Sequence, residues 1–107
     1  MGELELICFQ IISASGMARS SYIEAIQKSK DGNFNDAKKS IKEGENFFRE
    51  GHNAHSKLIQ QETSGKGCIP NLLLLHAEDQ LMAAETCKIL ANELIDAYKR
   101  IVTLESK

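Results

Sequence analysis

Residues 72–82 read LLLLHAEDQLM. Four leucines in a row wrap fully around a helical turn of 3.6 residues. One imidazole, His76, then interrupts them, followed by Glu78, Asp79 and Gln80, before apolar residues resume at Leu81, Met82, Ala83 and Ala84. Polar groups set inside an apolar helix are costly to bury and need partners or a purpose. On a helix, His76, Asp79 and Gln80 stand at i, i+3 and i+4, so they share one face. Glu78, at i+2 from His76, points elsewhere.

Working outward, this helix is expected to start near Pro70, a residue favoured in a first helical turn, and to run to about residue 104. Two stripes can be drawn on it. One runs through Leu74, Leu81, Ala84, Ala91, Leu94 or Ile95, Tyr98 and Ile101 or Val102. The other runs through Leu72, Leu75, Asp79, Met82, Thr86, Ile89 or Leu90, and Glu93. A three-helix bundle needs one stripe per helix. The second therefore points to another copy of the chain, with Asp79, Thr86 and Glu93, seven residues apart, as register-setting polar positions in a coiled-coil seam.

Upstream, apolar residues at three- and four-residue steps predict a first helix over 3–30, ended at Asp31-Gly32 with Gly32 as a left-handed cap. Gly16 weakens its middle and is expected to admit a neighbouring helix. A second helix follows from an Asn33 N-cap, with Asp36 in its first turn and Phe34, Ala37, Ile41, Phe48, His55, Leu58 or Ile59 and Glu62 on one side. Gly44 and Gly51 interrupt its propensity without breaking the period. Ser64-Gly65-Lys66-Gly67 is a loop by composition. The fold class is all-α, an antiparallel three-helix bundle of one domain over 1–107, assembling with copies of itself.

The 107 residues are 42% hydrophobic and 26% charged, with a net charge of −2. Charges of both signs are mixed along the chain, which argues against nucleic acid and against a polybasic membrane anchor. The apolar runs are a few residues long, far below the ~20 needed to span a bilayer. Cys8, Cys68 and Cys87 lack metal-ligand spacing; their odd number and the lack of a signal peptide fit a reducing cytoplasm.

His76 admits two readings, a satisfied core histidine or a nucleophile. A neutral imidazole can take a phosphoryl group and pass it on, given an accessible ring nitrogen and nearby donors. Gln80 can donate from one turn away; Glu78 would repel a phosphate if it faced it. Asp79 is either a solvated carboxylate or, among Leu72, Leu75 and Met82, one of several copies converging on a symmetry axis. There a hard divalent cation such as Mg²⁺ would relieve their repulsion. His52 and His55, at i and i+3, have no third ligand near in sequence and read as packing or surface residues, or as minor partners of His76. Arg19 reads as a surface or inter-helix residue, or else as a cation near a phosphoryl site. Tyr98 reads as core.

These residues carry a resemblance. Gly16 with Ala18-Arg19-Ser20, Glu24-Ala25, Gly32 to Phe34 with Ala37, His52, Gln61-Glu62, Ser64-Gly65, and above all Leu75-His76-Ala77, Asp79 and Leu81-Met82 recur in order and spacing. Together they resemble the lactose/cellobiose-specific enzyme IIA family of the bacterial phosphoenolpyruvate-dependent sugar phosphotransferase system, across nearly the whole chain. The resemblance implies a trimeric three-helix bundle and a cytoplasmic phosphotransferase component. His76 would be phosphorylated at Nε2, taking phosphate from HPr and passing it to a cysteine of the cognate enzyme IIB. A β-disaccharide of lactose, cellobiose or chitobiose type would then be phosphorylated on import through membrane-bound IIC. Asp79 would hold a divalent cation, Mg²⁺, on the trimer axis. The chain departs from the family pattern at four places. Glu78 and Gln80 stand where the family usually has Gln and His, Met17 where Asn or Asp is common, and His55 where Gln is common. A histidine phosphotransfer module of a two-component relay and a non-catalytic helical interaction protein are the competing readings.

Overall fold

The computed structural model describes residues 2–107. Three helices fill it, α1 (Glu3–Lys30), α2 (Phe34–Thr63) and α3 (Leu72–Glu105), and no strand occurs among the described residues. The first helix has the bounds the periodicity predicts, and the third runs one residue further.

The end of α1 shows why the chain turns where it does. Gly32 adopts φ +80°. Its N–H donates to the Ser29 carbonyl at 3.1 Å, and that of Asn33 to Lys28 at 2.9 Å. These are the paired bonds of a Schellman motif. The end of α2 repeats the device: Gly65 has φ +82°, and the Gly65 and Lys66 N–H groups reach Glu62 and Gln61 at 3.1 and 2.8 Å. Both helices stop because a glycine takes the left-handed conformation that a side chain would strain.

Helix α2 starts from Asn33 as expected, but the capping chemistry at the two helix starts differs from expectation. Asn33 occupies the N-cap position of α2, but its side chain makes no capping bond. Its backbone is already committed to closing α1. Pro70 lies outside α3; the cap is Asn71, whose extended backbone lets its Oδ1 accept the Leu74 N–H at 2.9 Å.

The core has three patches along the axis. Ile7, Cys8 and Ile11 meet Ala54, Leu58, Ala77 and Leu81. Ala18 and Tyr22 meet Ala84 and Ala91. Ala25 meets Ala37 and Ile95. The start of α1 thus lies beside the end of α2 and the start of α3, so α2 runs antiparallel to the other two. Helix α1 lies along both partners, whereas α2 and α3 touch over a shorter stretch. The result is a rod of 61 × 21 × 19 Å.

Fully buried alanines set the helix spacing. Glycine goes further on α2: a Cβ at Gly44 would stand 2.5 Å from Tyr22 Cε1, and one at Gly51 would stand 3.4 Å from both Ala14 Cβ and Leu81 Cδ1. Gly16 does not admit a neighbouring helix within the chain, since no described residue comes within 4 Å of where its Cβ would be. Close approach belongs to the two glycines that the sequence marks only as weak points of α2.

The two stripes of α3 separate along its N-terminal part and less so toward its C-terminal end. Leu81, Ala84, Ala91 and Ile95 are core, joined by Ala77, while Leu94 and Ile101 of that stripe stay exposed and Tyr98 is only half-buried. The second stripe lies open: Leu72, Leu75 and Met82 are 82%, 59% and 65% exposed, with Ile89 and Leu90 also out.

Candidate functional site

Ala77 is fully buried against α1 and α2, and this fixes the rotation of α3 around it. Successive helical residues are about 100° apart. His76 is therefore turned to one flank of the core face, Glu78 to the other, and Asp79 to the back. The structure bears this out. His76 and Asp79 are exposed, and Glu78 and Gln80 are half-buried. The reading of His76 as a packed core histidine does not fit an exposed ring.

Each flank is met by a different helix. On one, Arg19 of α1 donates from Nη1 to Gln80 Oε1 at 2.8 Å. On the other, His55 Nε2 lies 2.7 Å from Glu78 Oε1. Glu78 thus points away from His76, as its i+2 spacing requires, and it has a partner that the sequence did not identify. His55 is engaged with a carboxylate, while His52 is exposed beside Phe48, its ring 6.3 Å away centroid to centroid. The two histidines do not act as a pair.

Asp79 lies in a shallow, mostly apolar depression of about 540 Å³ between α1 and α3, lined also by Ile26, Met82, Thr86 and Leu90. No three His, Cys, Asp or Glu side chains gather into a metal centre among the described residues. Cys87 borders the same depression. Burial pushes its thiol pKa up, and the Arg19 charge works against that. Cys8 is buried and its thiol is raised chiefly by that burial. Neither cysteine has the lowered pKa of a reactive thiolate. No helix is long and apolar enough to cross a membrane among the described residues.

The profile of the family described as the lactose/cellobiose-specific IIA subunit of the PTS system matches residues 6–99. The chain belongs to this family. The lichenan-specific phosphotransferase enzyme IIA component of Bacillus subtilis is 39% identical over 99 residues, covering 92% of this chain and 90% of its own length. The lactose-specific IIA component of Staphylococcus aureus is 34% identical over 98 residues, covering 92% and 95%. The crystal structure of the cellobiose-specific enzyme IIA from Bacillus anthracis superposes with a TM-score of 0.93 at 40% identity, covering 96% of this chain and 94% of that one. The IIA chain is thus a component of a sugar phosphotransferase system, and its all-α fold is that of its relatives.

Proposed function

We propose that this IIA chain is a cytoplasmic phosphoryl carrier that uses His76. Its Nε2 lone pair attacks the phosphorus of phosphohistidine on HPr; the new N–P bond forms as the donor's breaks. A thiolate of the cognate enzyme IIB then attacks the same phosphorus, and the imidazole leaves. The sugar phosphorylated on import through IIC would be a β-linked disaccharide, in keeping with relatives named for lichenan, lactose and cellobiose. The observation that carries this reading is an exposed imidazole on a helix whose next residue is fully buried. Such a nucleophile is open to two successive partners, and the buried Ala77 fixes the side of α3 from which it projects.

The assembly would be a trimer, packed through the open stripe of α3. Three copies of Asp79 would then face one axis. One chain offers a single carboxylate, too few for a cation. Three offer a hard oxygen set that suits Mg²⁺ completed by water, and that ion would supply charge neutralisation at the seam.

Incubation with phosphoenolpyruvate, enzyme I and HPr should add one phosphate per chain, acid-labile as a phosphohistidine is. Absence of labelling, or labelling that persists in His76→Ala, would sink the proposal. Phosphate arriving from a response regulator instead of HPr would favour the two-component alternative.

A further inference from the structure

We propose that Arg19 is a positioning residue for phosphoryl transfer, fixing the Gln80 side chain so that its NH₂ group, and not its oxygen, is presented on the His76 side. This rests on the reading of His76 as the carrier.

A glutamine amide has two ends of nearly the same shape and opposite hydrogen-bonding character. Beside a phosphoryl group the difference is decisive, because the NH₂ donates to the phosphoryl oxygens and the carbonyl oxygen repels them. A guanidinium carries only donors. Arg19 Nη1, 2.8 Å from the Gln80 amide, can therefore be met only by Oε1, and the NH₂ is turned away from Arg19. Helical side chains lean toward the N-terminus, so Gln80 covers the preceding turn of its own face, where His76 stands four residues earlier. The amide is half-buried, and Arg19 is its one hydrogen-bond partner among the described residues.

Arg19 is itself well placed. It follows Ala18, which is fully buried between α1 and α3, and Tyr22 one turn on is equally buried. These anchors hold that side of α1 against α3. The guanidinium charge also acts on Cys87, two turns further along α3. Its pull on Oε1 polarises the amide and strengthens the donors at the other end. Neither Arg19 nor Gln80 forms or breaks a covalent bond in this role. A glutamine at position 80 thereby becomes a fixed donor where the family usually has a histidine.

The test is the rate of His76 phosphorylation by phospho-HPr, together with the lifetime of the isolated phosphoprotein, in the whole chain. Removing a preorganised donor costs roughly 100-fold or more in a closed site; for this half-exposed one the expected loss is about tenfold. Arg19→Ala and Gln80→Ala should slow transfer to the same extent, and the double variant should be no slower than either, because the two residues act as one unit. Arg19→Lys keeps a donor without an acceptor and should recover part of the rate even if Arg19→Ala folds poorly. The KM for HPr should stay unchanged while kcat falls. A phosphorylated wild type with an equally fast Arg19→Ala overturns this proposal alone, and so do losses that multiply in the double variant. A wild type that takes up no phosphate overturns the carrier reading, and this one with it.

Discussion

His55 Nε2 and Glu78 Oε1 are 2.7 Å apart, across the seam between α2 and α3 and one residue beyond the buried Ala77. The family resemblance makes each residue look like an isolated departure, glutamine replaced by histidine in one helix and by glutamate in the other. In space the two side chains meet. The pair also holds a negative charge on the flank of α3 away from His76, where it does not oppose a phosphoryl group. His55→Gln should lower stability by about 0.5–1 kcal/mol, the range for partly exposed pairs. Glu78→Gln should do the same. The double variant should lie near the wild type, because two amides can bond to each other. A double-mutant cycle from urea midpoints at constant m would measure this coupling; additive losses would mean the two side chains do not interact.

Gly44 and Gly16 should respond to alanine with opposite signs. A Cβ at Gly44 would press on the fully buried ring of Tyr22 at 2.5 Å. Overpacking of that kind costs about 1–3 kcal/mol and outweighs the gain of ~1 kcal/mol in helix propensity. At Gly16 nothing among the described residues lies within 4 Å of an added Cβ, so Gly16→Ala should keep most of that propensity gain. Thermal melts of the two variants against wild type settle both signs.

Tyr22 should make the fold sensitive to alkali. Its hydroxyl is buried without a hydrogen-bond partner among the described residues. Burial first, then the charges of Glu45 and Cys87, push its pKa up from 10.0 to about 12. Below pH 10 the phenol is neutral in both states and its contribution is fully present. As pH rises from 10 toward 12, the unfolded phenol ionises while the folded one does not. Stability then falls with rising pH, by at most about 1 kcal/mol per pH unit from this group in the middle of that window. Tyr22→Phe should show a shallower loss over that window than wild type. Matching slopes for the two proteins would refute a Tyr22 contribution.

Helices were legible where one residue's period or conformation decides the matter, as with Gly32 and the steps along α1. The capping bonds differ where two local devices compete, although Asn33 holds the N-cap position of α2. Asn33 has the composition of a cap, but its N–H is used in closing the previous helix, while Asn71 caps α3 in place of Pro70. Small residues carry more of the packing than their propensities indicate. In the sequence Gly44 and Gly51 only lower helix propensity; the Tyr22 ring and the Ala14 and Leu81 methyls opposite them give them their role. At the site, the spacing of His76, Gln80 and Asp79 on one helix was readable, because helical geometry dictates it. The partners of Gln80 and Glu78 come from Arg19 and His55, 61 and 23 residues away in sequence. No periodicity within α3 encodes them; pairing the odd Glu78 with the odd His55 was the one available signal.

The open stripe of α3 should govern assembly. Leu72, Leu75 and Met82 expose most of their surface in a single chain, and burying one such side chain is worth about 1.5–3 kcal/mol. Sedimentation equilibrium should give three times the chain mass of 11.9 kDa. Met82→Lys should shift it toward monomer while leaving the helical content intact, because Met82 is outside the core. Asp79→Leu should do the reverse of what loss of a charged partner normally does. It removes the repulsion among converging carboxylates and fills the same stripe with hydrocarbon, so the trimer should tighten. If the carboxylates hold a divalent cation, EDTA should lower the melting temperature of the wild type and leave that of Asp79→Leu unmoved. A monomer at all concentrations would remove both the seam and the axial site. A trimer that ignores EDTA in both proteins would keep the seam and remove only the ion.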